Sequence, residues 1–598
     1  MKIVLAHSHS LQDSAIPWIY FGGSYLKMKK CEKKLSGKRI NLQNNIHSSA
    51  QIQRKPFLEW IEAQRNKNND SMYWWMTQIA GRNNAQSNFF LNLCQFFAIK
   101  NYLEKNSNEN EILIVCEDIF LLKLLSQNFS NKFKLKTSYL LVFFEFWDVF
   151  SLHVKGIINQ FKTILLLILH YFYARISRPQ KMIQPSENVS LFHHCLDDEL
   201  SFQDNILTDK YFTILPNWLK KRGLKVFGLP WFFKNKISID SYKKLRNSNS
   251  FIPEDWINLM DYFFAFLNSI KSLKTLNYSI SYPGVKINQL IFREKIYQLG
   301  ESSIFFWRYI PAIKKWSQKL KSIIIYDQYQ NMMFEHPLRY IIKKLPIKST
   351  SVGFYHSLVS KEFMPFHYLN SEWQSQVKPD YVACIGTFSK DLLVKQGVPK
   401  DKILSVAALR QSNSLNKILN IKPSKQILVL LSLVPEASAE ILLKIYSINS
   451  FIIDELKLKI KVKAHPMMKT KSILKKINWS SLPAGWEWTK NDFSDELDKS
   501  YCTISMFTSG IYDAVLRGNI PISLMSDLNL MDNYLDLFSD KYPLAYAISV
   551  KELRSKLKEV FISKTKQYQD EFSKIRNELI EGTNVINSEN LNAFIPKD

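Results

Sequence analysis

The feature that most constrains the fold is an alternation of short apolar runs with helical stretches across residues 321–525. Runs such as "DYVACIG" and "QILVLLSL" are too short for helices and too apolar for surface loops. Strands separated by helices predict parallel sheets, in which ligands bind at the carboxyl ends of the strands. The predicted strands are 2–7, 111–118, 321–328, 350–357, 380–386, 401–407, 426–433, 457–464, 485–489, 502–507 and 520–525.

The chain's 598 residues exceed what one hydrophobic core holds, so two large lobes are expected. Residues 74–103 have the period of a helix, and the polar stretch "QSNSLNKILNIKPSK" is predicted to link the lobes. The predicted parts are the start of an N-terminal lobe (1–130), an apolar helical segment (131–182), the rest of that lobe (183–412), a linker (413–425), a C-terminal lobe (426–550) and C-terminal helices that cross back over the first lobe (551–598).

Residues 139–176 form an unusually apolar segment. Its longest charge-free run, Thr163 to Ala174, has 12 residues, whereas a membrane-spanning helix needs roughly 20. Lys and Arg residues flank the segment, which favours a pair of helices lying in the interface of an anionic membrane. A buried helical hairpin is the alternative, and a membrane span is the least expected outcome.

The net charge of +27 indicates an anionic partner, although Lys, Asn and Ile are frequent throughout the chain. No RNA-binding, helix-turn-helix or zinc-finger signature is present, so a nucleic-acid partner is not expected.

The six cysteines contain no CxxC pair, which is typical of a reducing compartment without disulfides or structural zinc. The N-terminal apolar run is too short for a signal peptide, so a cytoplasmic location is expected.

Two corners of the predicted C-terminal lobe are suited to an anion. In the first, Pro466 stops the strand 457–464 and holds His465 at its carboxyl end, beside Lys463. An imidazole N–H there can donate to a phosphate oxygen. The alternative is a loop histidine that bonds only to backbone.

The second corner follows the strand 502–507, where Thr508, Ser509 and Gly510 precede a predicted helix. Hydroxyls and free N–H groups at a helix start bind anions, whereas simple N-capping would explain only the hydroxyls. Ser432, after the strand 426–433, is predicted to line the same crevice.

These motifs, "K-x-H-P" followed by "TSGIYDAVLRGNIP", resemble the donor lobe of the GT-B glycosyltransferases of bacterial capsule and O-antigen synthesis, the surface-carbohydrate transferases in particular. The segments 323–344 and 351–357 resemble parts of the same enzymes' first lobe. The matched positions in the second lobe are Lys463, His465, Pro466, Thr508, Ser509, Gly510, Asp513, Ala514, Gly518 and Pro521. Asp513 stands where the family usually has Glu.

The resemblance implies a GT-B-like α/β fold, with two Rossmann-like lobes facing a cleft and a helical insertion in the first lobe. It implies transfer of a sugar from a nucleotide donor, CMP-linked sugars included, to a surface glycan or lipid-linked acceptor at the inner face of the cytoplasmic membrane. No cofactor and no metal are expected. A CDP-polyol phosphotransferase of the teichoic-acid type and a non-catalytic scaffold remain alternatives.

A general base is needed for an inverting transfer, because the acceptor hydroxyl must lose its proton. The resemblance falls on Glu335 and His356. Asp13, Glu117 and Asp118 are further candidates, because they follow predicted strands. The cluster "FHHCLDDEL" (192–200) is predicted to be a polar loop rather than a metal site, because its candidate ligands are adjacent rather than spaced.

Overall fold

A computed structural model of the 598-residue chain shows three parallel β-sheets surrounded by helices. The structure describes the chain except for the residues 1, 10, 84–85, 107–109, 131, 138–139, 180–186, 197–199, 233–237, 278–280, 301–302, 359, 362, 416–423, 531–534, 536–545 and 597–598, and the side chains of 137 and 140–146.

The first sheet has four parallel strands in the order β2-β3-β1-β4. Its strands are β1 (Lys2–His7), β2 (Trp18–Phe21), β3 (Glu111–Cys116) and β4 (Lys134–Thr137). The accompanying helices are α1 (Tyr25–Lys34), α2 (Gln43–Lys67), α3 (Met72–Trp75), α4 (Gln78–Gly81), α5 (Phe89–Lys105) and α6 (Ile119–Phe129). A 37-residue helix, α7 (Leu140–Ile176), then leads to the second sheet.

The second sheet has six parallel strands in the order β12-β11-β10-β9-β5-β8. The strands of this part of the chain, including the antiparallel pair β6-β7, are β5 (Asn188–Leu196), β6 (Ser201–Gln203), β7 (Ile206–Thr208), β8 (Lys225–Phe232), β9 (Ser322–Gln328), β10 (Lys348–Tyr355), β11 (Tyr381–Cys384) and β12 (Ile403–Ser405). The helices are α8 (Leu215–Lys221), α9 (Ile239–Arg246), α10 (Leu259–Ser272), α11 (Asn288–Leu299), α12 (Ser303–Trp307), α13 (Tyr309–Ser317), α14 (His336–Ile342), α15 (Thr387–Lys395) and α16 (Ser412–Leu415).

The third sheet has six parallel strands in the order β15-β14-β13-β16-β17-β18. They are β13 (Gln426–Leu430), β14 (Lys459–Lys463), β15 (Trp486–Trp488), β16 (Cys502–Ser505), β17 (Ile520–Leu524) and β18 (Tyr546–Ala547). The helices are α17 (Pro435–Tyr446), α18 (Thr470–Lys476), α19 (Phe493–Lys499), α20 (Gly510–Leu516), α21 (Val550–Lys558), α22 (Thr565–Glu581) and α23 (Ser588–Asn592). Single 3-10 or π turns lie at Pro253–Asp255, Leu273–Thr275, Met364–Phe366, Asn370–Gln374, Lys400–Lys402, Phe451–Glu455 and Glu559–Ser563.

The chain end crosses back from the third sheet to the second. The Tyr326 hydroxyl of β9 donates to the carbonyl of Phe594 at 3.2 Å, and the Phe594 ring packs 5.2 Å from that of Phe354. The C-terminal helices therefore tie the two six-stranded lobes together, as their position in the sequence suggests. Most of the predicted linker, residues 416–423, lies outside the described part of the chain.

The first sheet corrects the predicted domain plan. Residues 1–130 and 183–412 were expected to build one Rossmann-like lobe, but their strands belong to separate sheets. The hydrophobic core nevertheless runs from one to the other, since Trp74 and Trp75 belong to the same buried cluster as Tyr309 and Leu338. Residues of both sheets thus share one hydrophobic core, although they belong to separate sheets.

Helix α7 is one continuous helix instead of the expected pair. Gly156 does not break it, and a Cβ at this position would be in ordinary contact with Leu299 and Gly300 at the end of α11. Among the described residues, Trp147–Ile176 is the one stretch long and apolar enough to cross a membrane by length and composition, and 17% of its apolar window is buried. The buried stripe, which includes Leu167, His170 and Ala174, packs against the protein along the helix.

Two further predictions are wrong. The described part of 192–200 is a buried strand rather than a polar loop, because Phe192 stacks on Tyr326 at 4.6 Å and His194 lies 3.2 Å from Asp209; residues 197–199 lie outside the described part. The helical period of 74–103 is interrupted between α4 and α5, where Arg82 adopts a left-handed conformation (φ 55°).

Candidate functional site

The carboxyl ends of the two six-stranded sheets face one cleft with a volume of 770 Å³. The second sheet contributes residues at or after the ends of β5, β8, β9 and β10, and the third contributes residues after β13, β14 and β16. This is the edge at which open α/β sheets bind ligands. Of the predicted site residues, His356, Ser432, His465, Thr508 and Ser509 line this cleft.

The two predicted corners lie at the same edge of the third sheet, where its parallel strands end. Strands β14 and β16, which precede His465 and Thr508, flank β13 on either side. Two strand spacings, roughly 10 Å, therefore separate the corners. Ser432 lies between them, after β13, and its hydroxyl accepts a hydrogen bond from the Val434 N–H at 3.0 Å.

His465 is oriented by its own loop. The backbone N–H of Met467 donates to His465 Nδ1 at 3.2 Å. In the neutral ring the proton is therefore on Nε2, which makes Nε2–H a hydrogen-bond donor. Pro466 is exposed, and Lys463 donates to the carbonyl of Asn491, so these two shape the corner from outside the cleft.

The Thr508–Ser509 corner depends on side chains more than on the helix that follows. Helix α20 has seven residues, so its dipole is small, and the Gly510 N–H donates to Thr508 Oγ1 at 3.3 Å. Gly510 is buried, and a Cβ there would meet Leu430 Cδ1 at 3.2 Å. The glycine therefore lets the turn pack against β13 while Thr508 and Ser509 face the cleft.

Arg410 is a cleft residue that the sequence reading missed. It follows β12, lines the cleft and donates to Asp513 Oδ2 at 3.1 Å. Asp513 itself is buried and does not line the cleft, so its side chain positions Arg410 and does not reach a ligand. The pair joins the lobe built on the second sheet, called the first lobe from here on, to the lobe built on the third sheet, called the second lobe. Burial raises the pKa of the Asp513 carboxyl, and the Arg410 and Arg517 guanidinium groups oppose that rise.

His356 follows β10 and faces the cleft from the first lobe. Its ring lies 4.4 Å from that of Tyr211, and Nδ1 is buried with no hydrogen-bond partner among the described residues. Burial lowers the pKa of His356 well below its usual value, and the nearby cations Arg410 and Lys210 lower it further. The ring is therefore neutral at pH 7 and has a lone pair available.

Glu335 lies behind the cleft wall. Its carboxylate accepts hydrogen bonds from the Gln330 and Asn331 backbone N–H groups at 2.7 and 3.0 Å, and Arg339 lies 2.7 Å away. Burial raises the pKa of Glu335 to about 7. Glu335 holds the loop in which Gln330 faces the cleft, but it does not line the cleft itself. Its role is therefore to position this loop, and it is not a base in contact with substrate.

The other carboxylate candidates belong to the first sheet. Asp13 is exposed and accepts hydrogen bonds from Ser36. Glu117 and Asp118 line a separate cavity of 320 Å³, and Asp118 pairs with Arg293 at 2.5 Å. None of the three lines the cleft between the six-stranded lobes.

The first-lobe side of the cleft is aromatic and amide-rich. Trp231, Phe305 and Phe334 line it together with Gln330 and Asn83. Helix α7 borders this side through Asn159, Lys162, Thr163 and Leu166.

Among the described residues, no group of three or more His, Cys, Asp or Glu side chains is arranged to hold a metal ion.

Two Rossmann-like lobes thus face each other across a cleft at their carboxyl edges. The fold is GT-B-like. The four-stranded first sheet is an addition to this architecture.

No family model and no curated protein matches the chain. Similar solved structures include a glycotransferase of kitacinnamycin (9% identity, 69% of this chain and 98% of that chain, TM-score 0.37) and the trehalose 6-phosphate synthase of Burkholderia multivorans (8%, 69% and 95%, 0.37). A third is the UDP-GlcNAc 2-epimerase of Methanocaldococcus jannaschii in complex with UDP-GlcNAc and UDP (12%, 65% and 99%, 0.34). TM-scores below 0.5 say nothing about activity, and the chemistry of the site follows from its own residues.

Proposed function

We propose that the chain is a glycosyltransferase that moves a sugar from a nucleotide donor to an acceptor hydroxyl in the cleft between its lobes. The observation that carries the proposal is that His465, Thr508 and Ser509 of the third sheet's lobe and Arg410 and His356 of the second sheet's lobe line one cleft. Hydrogen-bond donors and a cation are suited to phosphate, and a neutral histidine is suited to accept a proton.

The donor phosphate binds at the corner formed by the second lobe. His465 Nε2–H and the two hydroxyls donate to its oxygens, and the Arg410 guanidinium faces the same space. As the bond between the sugar's anomeric carbon and the phosphate oxygen breaks, negative charge develops on that oxygen. Donors already in place stabilise this charge without reorganising, which lowers the barrier.

His356 is the proposed general base. As the acceptor oxygen forms its bond to the anomeric carbon, the hydroxyl proton passes to the neutral imidazole ring of His356, and the bonding electrons of the broken bond leave with the nucleotide. Burial is the main cause of the low pKa of His356, and Arg410, which lines the cleft, lowers it further; an anionic donor bound beside Arg410 offsets that second effect and raises the pKa. The base then becomes stronger when substrate is present.

The acceptor side fits a glycan presented at an anionic membrane. Aromatic and amide side chains line this side of the cleft, and α7 borders it with one flank while its outer face is apolar and exposed. Exposed Lys155 and Lys162 add positive charge to the helix. We therefore place the enzyme at the inner face of the cytoplasmic membrane, with a lipid-linked or surface glycan as acceptor and without a metal or other cofactor.

The test is a thermal-shift panel of CMP, UDP, GDP and dTDP on the wild type and on His465→Ala. A ligand at 100 times its Kd adds about 2.7 kcal/mol of stability to the folded state, so one nucleotide class should raise Tm above the others. His47→Ala, in α2 and outside the cleft, is the matched control.

The expected result is a response to one nucleotide that His465→Ala loses and His47→Ala retains. Absence of a response to every nucleotide contradicts the proposal. An unchanged response in His465→Ala would show that His465 does not take part in binding the donor phosphate.

A further inference from the structure

Large apolar side chains are exposed mainly on two helices of the first lobe. Helix α10 carries five of them, Leu259, Met260, Phe263, Phe264 and Ile270. Those on α7 are Trp147, Phe150, Val154, Ile157, Ile158, Phe161, Leu165, Leu169, Phe172 and Ile176. Exposed apolar surface of this extent marks a surface that contacts another apolar phase.

An apolar groove of 180 Å³ separates the two helices. Ile157, Phe161 and Ile164 of α7 form one wall, and Phe266 and Ile270 of α10 form the other. Phe161 is 64% exposed and Ile270 is 41% exposed, so the groove opens onto the outer faces of both helices.

The N–H and O–H groups of the polar side chains that line the groove bond within the protein, and one example is Gln160 Nε2, which donates to the carbonyl of Leu299 at 2.5 Å. Gln298 Nε2 donates to the carbonyl of Met76 at 2.8 Å, and the Ser269 and Ser303 hydroxyls are 2.5 Å apart. They do not require water or a polar ligand in the groove, which therefore favours a hydrocarbon occupant.

We propose that this groove holds one hydrocarbon chain of an anionic membrane lipid. The proposal rests on the membrane contact in the proposed function and adds a specific lipid site to it. Exposed Lys271 and Lys274 lie at the end of α10, next to Ile270 and Leu273 of the groove, where they can contact lipid phosphates. Lys155 and Lys162 lie on the opposite flank of α7, where Lys162 borders the cleft.

The position of the site follows from the two flanks of α7. One flank forms the groove wall through Ile157 and Ile164, and the other borders the cleft through Asn159 and Leu166. A lipid chain in the groove therefore fixes α7 in the bilayer surface with its other flank facing the acceptor space. Lys155, Lys162 and the cleft-facing polar residues of α7 are costly to place in the hydrocarbon core, which favours a position in the bilayer surface over a span.

The experiment uses the full chain and vesicles that contain phosphatidylglycerol with a photoactivatable diazirine at the end of one acyl chain. After irradiation, labelled peptides are mapped by mass spectrometry. Labels are expected within 157–164 and 266–273. Ile270→Trp fills the groove, and Leu169→Trp, on the outer face of α7 and not in the groove wall, is the matched control.

Support consists of labels at both walls that Ile270→Trp loses and Leu169→Trp retains, while both variants still sediment with vesicles. Equal labelling of the two variants, or labels spread evenly along the outer face of α7, overturns the groove site. Absence of vesicle binding, or occupation of the groove by a second copy of the chain in crosslinking, overturns it as well. None of these outcomes changes the nucleotide response, which tests the transferase proposal separately.

Discussion

At the residue scale, charges that look equivalent in the sequence have different roles in the structure. Glu335 and Asp513 both fall on positions where a ligand contact is predicted, yet both are buried and hold other groups in place. Arg410 has no motif of its own and lines the cleft because Asp513 fixes it there. A partner 103 positions away determines its orientation, and sequence spacing carries no information about such a pair.

His356→Gln is expected to reduce the transfer rate by roughly 10²- to 10⁴-fold while nucleotide binding is retained, because the amide cannot accept the proton. In the wild type, the rate at saturating donor should fall on the acidic side, where His356 becomes protonated. The measurement is the pH profile of transfer with the donor class that the thermal panel identifies.

The control for that experiment is His367→Gln. His367 is also largely buried, and burial lowers its pKa to about 3, but it lies outside the cleft. Equal losses in the two variants would mean that the effect of His356→Gln is structural.

The ion pair of Arg410 and Asp513 gives a second prediction. Arg410→Gln leaves the buried carboxylate without its partner and should lower the free energy of unfolding by roughly 1–3 kcal/mol in urea denaturation. Adding Asp513→Asn should recover stability, because no charge is then left unpaired. The nucleotide response should stay lost in both variants; recovery of binding in the double variant would show that Arg410 does not contact phosphate.

At the scale of elements, the strands of the last 280 or so residues were largely predictable, because each is a short apolar run between helices. Strand β9, predicted at 321–328, is Ser322–Gln328, and β17, predicted at 520–525, is Ile520–Leu524. Strands β5 and β8 were missed because polar and turn-forming residues, His193 and Pro230, occur within them. Pro230 is tolerated since β8 is an edge strand.

Helix α7 gives the prediction at this scale. Leu165→Asp places a charge on its outer face, where the side chain is 62% exposed, and should weaken binding to anionic vesicles without changing Tm. Ile52→Asp on α2, at a site that is 61% exposed, is the matched control. Co-sedimentation with vesicles is the measurement. Equal binding by the two variants would show that the outer face of α7 does not contact the membrane.

At the scale of the whole molecule, a buried charge network joins the first part of the chain to the second sheet's lobe. Arg82, at the end of α4, donates to Glu372 at 2.5 and 2.9 Å, and Lys378 lies 2.7 Å from the same carboxylate. The network fixes the loop that carries Asn83 to the cleft. Burial lowers the pKa of Lys378 to about 7; Glu372 opposes this fall and the Arg82 guanidinium adds to it.

This network makes stability depend on pH. Arg82 and Lys378 outweigh the burial penalty and lower the pKa of Glu372 from 4.5 to about 2. Because the folded pKa is lower, the contribution of Glu372 is present above pH 4.5 and is lost as pH falls toward 2; it amounts to roughly 3 kcal/mol.

Glu372→Gln should therefore lower the free energy of unfolding by roughly 3–5 kcal/mol at pH 7 and flatten its pH dependence between 4.5 and 2. Urea denaturation across this range measures both effects. If the free energy of unfolding of the variant has the same pH dependence as that of the wild type, groups other than Glu372 cause the acid sensitivity of the protein.

The sequence by itself determined the α/β class, most strands of the two lobes and the two corners of the third sheet, because local apolar period and strand-end residues report directly on a parallel sheet. Only the tertiary structure decided that the first four strands form a sheet of their own, that α7 is one helix between cleft and outer surface, and that Arg410 completes the cleft. Each of these depends on contacts between residues far apart in the chain, which are set by packing and not by local pattern.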